Sequence, residues 1–350
     1  MNRTGSHPWV VCANAVTPLG YDLPSTATAV RAQMSSFRET YMVDRAGEPI
    51  VASIVEGLKE DCIGPERVVD LALAALQPVM ADISEKGVEV GSFPIFLSLP
   101  MTRPGTEILE DVMYVALASV FGGEGARDYL RIRSEGHAST IRCLEDAVGI
   151  LAKGEAELCL IGGVDSYWQY EVLDCLDQIR RLRSDRNLDG FIPGEAAAFV
   201  LLMTPHYAQR LGMNPMAELG VVANAHEPQP LNVDGVSIGE GLSSALRSIV
   251  SSNDLHPAMI DWVVCDMNGE SYRSMEWSYA WLRTGKHFRD PVELWHPADC
   301  YGDVGSASGA LLLAITAEAL DKGYGRGQTA LVFTSSDGPL RSAAVLRGVA

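Results

Sequence analysis

The residues that could do chemistry gather in one stretch, Gly136 to Ser166. Tyr129 to Arg133 reads as a strand, Ser134-Glu135-Gly136-His137-Ala138 as a sharp turn, and the run from Ser139 to Lys153 as a buried helix. A strand that turns into a helix in this way lifts one side chain over the helix N-terminus, which is how a nucleophile elbow is built. The residue at that spot is a histidine. His137 in such a place could serve as a base or as a transient acyl acceptor. The nearby cysteine, Cys143, lies six residues on, about 600° around a helix. Its thiol therefore points away from the elbow face and reads as a small buried hydrophobe.

The elements that must hold this turn are legible around it. Ile141, Leu144, Val148 and Leu151 fall on one helical face. Gly154 is placed to end the helix in a left-handed conformation. Leu158 to Ile161 is apolar without alternation, as in a strand covered on both faces, and Gly162-Gly163 closes it. Further strands are expected at Trp9–Ala13, Phe93–Leu99, Ala197–Met203, Glu218–Asn224, Trp262–Cys265, Thr329–Phe333 and Ala343–Leu346. A short strand is expected at Ile50–Ala52. Helices are expected at Pro65 onward, Ile108–Val120, Gly239–Ser252 and Tyr272–Leu282, with a helix-like run from Tyr167 to Leu182.

Composition sets the bounds. The chain has 350 residues, enough for one large α/β domain or two smaller ones. No apolar run reaches the roughly 18 residues of a membrane span, and the opening MNRTGSHPWVV lacks a secretory apolar core. Seven scattered cysteines without a CxxC pair suggest reduced thiols, so a cytoplasmic location is expected. A net charge of −18 argues against nucleic acid or an anionic membrane as partner. The one basic cluster, Arg180, Arg181, Arg183 and Arg186, is interspersed with Asp185 and Asp189 and reads as a solvated loop.

The chain also repeats itself. GHASTIRCLEDAVGILAKG, ELCLIGGVDS and AAAFVLLM form one series, and YGDVGSASGALLLAITAEALDKG, TALVFTSSDG and SAAVLRGV the other. Each is turn, buried helix, strand, turn, strand. Two such units would let residues 136–153 and 305–322 form two central antiparallel helices between two five-stranded mixed sheets. Ser306 to Ala310 are small enough for one helix to pack closely on another backbone.

Four segments resemble the thiolase superfamily, and within it the β-ketoacyl synthases: VVCANAVTPLGYDLPST, ILAKGEAELCLIGGVDS, RSDRNLDGFIPGEAAAFVLL and GDVGSASGALLLAI. The third is the most specific, and it departs mildly where Ala196 replaces a glycine. The resemblance implies an α/β chain with a five-layered αβαβα fold from two duplicated halves. These are placed at 1–215, with the elbow at 136–138, and 216–350. It also implies a homodimer, paired through Tyr129 to Arg133, and acyl thioester substrates.

The same resemblance locates three catalytic positions, and all three have changed. The nucleophile position, a cysteine in the family, falls on His137. The first histidine position falls on Asn268, and the second on Gly302 or Asp303. The glycine-rich terminal loop that gates the family's acyl pocket is reduced to Ser335-Ser336-Asp337-Gly338-Pro339. A condensing enzyme needs a thiolate to carry the acyl chain and two further groups to drive decarboxylation and hold the oxyanion. The expectation is therefore a catalytically degenerate β-ketoacyl synthase-like protein. It would be a non-condensing scaffold, a partner subunit or an acyl- or carrier-binding protein of a biosynthetic or secretion-associated gene cluster. Its candidate partners are an acyl carrier protein, an acyl-CoA or another cluster protein. The alternative is an acyl-thioester hydrolase or acyltransferase using His137, oriented by Asp303, with Asn268 serving an oxyanion and Ser139 or water as nucleophile. A zinc site from His137, Asp303, Cys300 and Cys265 has suitable ligand types but no supporting spacing, so neither metal nor cofactor is expected.

Overall fold

The computed structural model describes residues 7–58, 62–89, 93–121, 126–231, 233, 235–255 and 259–349. The first six residues of the opening stretch lie outside them. The first half runs β1 (Trp9–Val16), α1 (Leu23–Arg31), β2 (Arg38–Val43), β3 (Pro49–Ala52), α2 (Gly64–Glu85), β4 (Ile95–Ser98), α3 (Leu109–Val120), α4 (Ala126–Tyr129), β5 (Leu130–Arg133), α5 (Ser139–Lys153), β6 (Leu158–Ser166), α6 (Tyr170–Gln178), β7 (Glu195–Met203) and α7 (Pro205–Leu211). The second runs β8 (Ala217–His226), α8 (Glu240–Val250), β9 (Ile260–Cys265), α9 (Ser271–Thr284), β10 (Phe288–Trp295), α10 (Ala298–Tyr301), α11 (Ser308–Asp321), β11 (Thr329–Ser335) and β12 (Leu340–Arg347).

Ten strands form one sheet in the order β10-β9-β11-β12-β8-β1-β7-β6-β4-β5. Reading outward from the β1–β8 join, both sides have the same arrangement. Counting only this sheet's strands in each half (β2 and β3 pair separately), the first is innermost, then the fifth, fourth and second, with the third at the edge. This is the duplication expressed as topology. The two sets are not separate sheets, as the repeat suggested. They are joined by a short antiparallel pairing, Trp9 with Glu218 and Val10 with Ala217.

The layers arise from which residues each strand sends to which side. Along β6, Cys159 and Ile161 enter one core, while Leu158, Leu160 and Val164 enter another. Both faces are therefore apolar, and the strand shows no alternation. The first core holds Ile141, Leu144, Leu311 and Ile315 from α5 and α11, which pack on each other and on strands of both halves. The second holds Leu71, Ala75 and Val79 of α2. A third, on the far side of the second half, holds Leu242, Leu246 and Ile249 of α8. The result is the expected five-layered αβαβα arrangement. The small residues opening α11 have a reason too: a Cβ on Gly309 would sit 2.8 Å from Thr140 Cβ on α5.

The structure differs from the sequence pattern in several elements: β2, α4 and α10 have no expected counterpart, Tyr129 ends α4 rather than opening β5, and β6 continues through Gly162-Gly163 to Ser166. The helix-like run after Tyr167 ends at Gln178 rather than Leu182, with Arg180 in a left-handed conformation (φ 57°). The strand β10 has no counterpart among the expected strands, because Arg289, Asp290, Pro291 and Glu293 hide it. At a sheet edge such residues are tolerated and discourage further pairing.

Candidate functional site

The elbow forms as its residue types require. Gly136 takes a positive φ of 79° and its carbonyl accepts from Ser139 N–H at the first turn of α5. This leaves His137 just ahead of the helix, almost fully buried. Its partner arrives from the other half. Gly302 turns the chain after α10, and a Cβ there would lie 2.6 Å from Ile192 O. The next residue, Asp303, donates its N–H to Ile192 O and accepts at its own carbonyl from Gly194 N–H, both at 2.8 Å. The Gly-Phe-Ile-Pro-Gly segment at 190–194 is thus the bracket that holds Asp303. Of the two residues left open for this position, Asp303 supplies the side chain and Gly302 the turn.

His137, Asn268 and Asp303 meet. His137 Nε2 lies 2.8 and 3.1 Å from the two oxygens of Asp303. Asn268 Nδ2 donates to Asp303 Oδ2 at 2.6 Å and to Glu270 Oε2 at 3.0 Å. Gly305 N–H (2.7 Å) and Tyr167 O–H (3.3 Å) donate to Asp303 Oδ1. Arg273 Nη2 also approaches His137 Nε2, at 3.3 Å. One nitrogen cannot donate to Asp303 and accept from Arg273 at once. The shorter contact is to an anion, so Nε2 carries the proton and points at Asp303.

The electrostatics agree. Burial alone would lower the His137 pKa, but the Asp303 carboxylate outweighs it and the net direction is upward from 6.5. Burial alone would raise the Asp303 pKa. The His137 and Arg273 charges and the Gly305 N–H overcome that and hold it well below the usual carboxylate range. A raised histidine contributes stability that is complete below its unfolded value and lost as pH rises through its folded one. A depressed aspartate contributes stability lost as pH falls below its unfolded value. Thermal unfolding between pH 5 and 9 should therefore show the midpoint falling as pH rises above about 6.5. The slope should flatten in His137→Gln, and equal slopes would mean that the His137 pKa is not shifted by folding.

Sequence reasoning missed the ring of charge around the trio. Arg273, buried in α9, donates to Asp266 Oδ2 at 2.9 Å. Arg181 binds Glu270 through Nε and Nη2, both at 2.7 Å, and Asp337 through Nη1 at 2.6 Å. Arg181 therefore faces inward, which corrects its reading as part of a solvated cluster. Arg103 pairs with Asp165 and donates to Ser166 O at 2.7 Å. A buried charge inside an otherwise ordinary helix has no periodicity of its own, so Arg273 left no signal. Asp337 did stand in the reduced terminal loop.

That loop is tied down on both sides. Ser336 Oγ accepts from Ala138 N–H at 3.0 Å and bonds Glu135 O. From behind, Arg341 donates to Ser336 O and Gly338 O at 2.7 Å each. Beside His137 remains a cavity of about 190 Å³ whose walls include Met101, Arg103, Tyr167, Leu176, Arg181 and Asp337. It is smaller than ordinary ligand pockets of roughly 300–1,000 Å³.

Burial disfavours the thiolate at the fully buried cysteines. Cys143 is fully buried and burial pushes it up to about 12; Cys265 is pushed up further. Cys175 reaches the cavity wall from α6. All seven cysteines are unpaired. Among the described residues no group of three or more His, Cys, Asp or Glu is arranged to hold a metal, so Cys265 and Cys300 do not join His137 and Asp303 in one. No helix among them is long and apolar enough to cross a membrane.

Comparison with known proteins adds three findings. The family model for the β-ketoacyl synthase N-terminal domain matches residues 136–208. A putative polyketide β-ketoacyl synthase 1 of Streptomyces virginiae is 24% identical over 216 residues, covering 56% of this chain and 50% of that protein. An oxytetracycline polyketide putative β-ketoacyl synthase 1 of Streptomyces rimosus is 30% identical over 128 residues, 32% of this chain and 30% of that one. The chain thus spans about half or less of these curated relatives' length. Among solved structures, a type II polyketide ketosynthase bound to its acyl carrier protein superposes with a TM-score of 0.81 at 15% identity, covering 99% of this chain and all of that one. The ishigamide ketosynthase/chain length factor gives 0.79 at 15% identity, with the same coverage.

Proposed function

From a chain that is β-ketoacyl synthase-like and of the thiolase superfamily, we propose a protein that no longer condenses thioesters and acts as a partner or binding subunit. One observation carries this reading: the side chains at the three catalytic positions bond one another. His137 gives its Nε2 proton to Asp303, and Asn268 spends its amide on Asp303 and Glu270. Burial holds Cys143 and Cys265 as thiols, and the terminal loop is fastened to the elbow through Ser336. Chain length factors are partners of ketosynthases, and one of the superposed structures contains such a pair. A role of that kind in a biosynthetic cluster is the proposal. In the alternative, thioester hydrolysis by His137, the imidazole would need a free nitrogen facing a nucleophile. With Asp303 on Nε2 only Nδ1 is left for that role, and the upward shift of the His137 pKa favours the protonated imidazole, which is not a base.

Intact mass and product analysis with acyl and malonyl thioesters test the reading. No adduct and no 3-oxoacyl product are expected. Turnover to such a product would sink the proposal. Thioester loss without it, abolished in His137→Ala, would install the hydrolase reading.

We place a candidate carrier-docking face on the basic segment 180–186. Arg180, Arg183 and Arg186 are exposed, beside exposed Ile179 and Leu188, while Arg181 is engaged inside. An acidic carrier would meet these three arginines, which flank in sequence the cavity-lining Ile179 and Arg181. Changing all three to Glu should weaken carrier binding by at least tenfold, and added salt should weaken the parent protein's binding. Undiminished binding by the triple variant would place the partner elsewhere.

The proposed homodimer rests on β5, an edge strand that among the described residues pairs with β4 alone. A groove of about 660 Å³ with Arg131, Arg133, Glu145, Asp146 and Lys153 in its walls runs beside it. Arg133 is already neutralised by Asp146 at 2.7 Å, so like-charge repulsion across a two-fold axis is softened. Sedimentation should find a dimer at micromolar concentration, and a monomer would count against pairing through this edge.

A further inference from the structure

We infer that the Asp337 side chain is a built-in occupant of a carboxylate-binding site, and that it blocks that site against a small carboxylate-bearing ligand reaching the cavity beside His137. Three residues converge on this one carboxylate. Arg181 donates from Nη1 at 2.6 Å and Nη2 at 3.1 Å, Tyr272 O–H from 3.1 Å, and Arg273 Nη2 from 3.4 Å. The two arginines among these donors have anchors besides Asp337. Arg181 is gripped by Glu270 through two bonds and lies over the Phe191 ring. Arg273 is gripped by Asp266 and by Ser335 O and is 1% exposed. A fork of donors fixed by other partners stays in place when its anion leaves, and that is what preorganises a site.

The occupant, in contrast, is held by its tip. The carbonyls on either side of Asp337, at Ser336 and Gly338, are clamped by Arg341. The Asp337 side chain is more exposed, at 21%, than those of Arg181 (12%) and Arg273 (1%). Its side chain can therefore swing out by rotation while the loop stays. Arg181 and Asp337 both border the cavity of about 190 Å³, so an incoming carboxylate would place the rest of its ligand there. At roughly 30 Å³ of liquid volume per water, that is space for about six water-sized groups. Glu270 and Asp266 already neutralise the two guanidiniums, and His137 neutralises Asp303. Affinity must then come from hydrogen-bond geometry rather than net charge, so it should be millimolar.

This deepens the closed-site reading and rests on it for the claim that no covalent step ensues. The test is chemical rescue of Asp337→Ala, with sodium acetate as the probe and sodium chloride at equal ionic strength as control. The variant should melt below the parent protein. Tens of millimolar acetate should restore at least half of the lost Tm, leave the parent unchanged, and fail in Asp337→Ala/Arg181→Gln. Equal effects of acetate and chloride on the single variant would overturn the inference, as would equal stabilisation of parent and variant by acetate. If the variant does not fold in chloride, it is refolded in acetate: recovery supports the site, and failure in both salts overturns it. Formation of a 3-oxoacyl product would instead defeat the non-condensing reading while leaving an acetate rescue standing.

Discussion

Glu276→Gln is expected to destabilise the protein by about 3–5 kcal/mol, the usual cost of stranding one member of a buried ion pair. Arg341 is fully buried on β12, and Glu276 on α9 grips it with three contacts of 2.6 to 3.0 Å. The pair links two layers, and the same guanidinium carries the Ser336, Gly338 and Leu340 carbonyls. A glutamine keeps the shape and removes the charge, which leaves a guanidinium in the core with carbonyls as its only counterweight. The loss should appear as a lower urea midpoint at unchanged slope. Faster proteolysis around residues 335–339 should accompany it, because the clamp and the pair are one structure. A loss below about 1 kcal/mol, the worth of an exposed pair, would mean that the carbonyls alone hold Arg341.

His137→Cys is expected to yield at most a self-acylating protein and no 3-oxoacyl product. The substitution restores a sulfur at the elbow but not the groups around it. Asn268 can donate to an oxyanion but cannot move a proton near neutral pH. Asp303 would keep donors from Asn268, Tyr167 and Gly305 after losing the imidazole, so it stays an anion. It would then sit where negative charge must develop in decarboxylation, which raises that barrier. The terminal loop would remain fastened over the site by Ser336, Arg181 and Arg341. Mass spectrometry should show one acyl increment that persists when malonyl thioester is added. Conversion to a condensed product would mean that the thiol was the only missing part.

The fold was legible because its information is local and repeated. The apolar spacing of Ile141, Leu144 and Leu151 made α5, and strands apolar on both faces announced layers above and below. The doubled turn-helix-strand series announced two halves. The resemblance put His137, Asn268 and one of Gly302 or Asp303 in a common place, and the structure brings those side chains within hydrogen-bond reach. What sequence could not reveal depends on contacts between distant segments. It left Gly302 and Asp303 undecided, because only the pairing of that turn with Ile192 and Gly194 shows which one sends a side chain inward. It read Arg181 with its exposed neighbours, because the choice between water and the Glu270–Asp337 pair is made by α9 and the terminal loop. It missed β10, because an edge strand that tolerates Pro291 carries no apolar pattern. Periodicity encodes which face of an element is buried; which charges meet there is set only when the two halves close on each other.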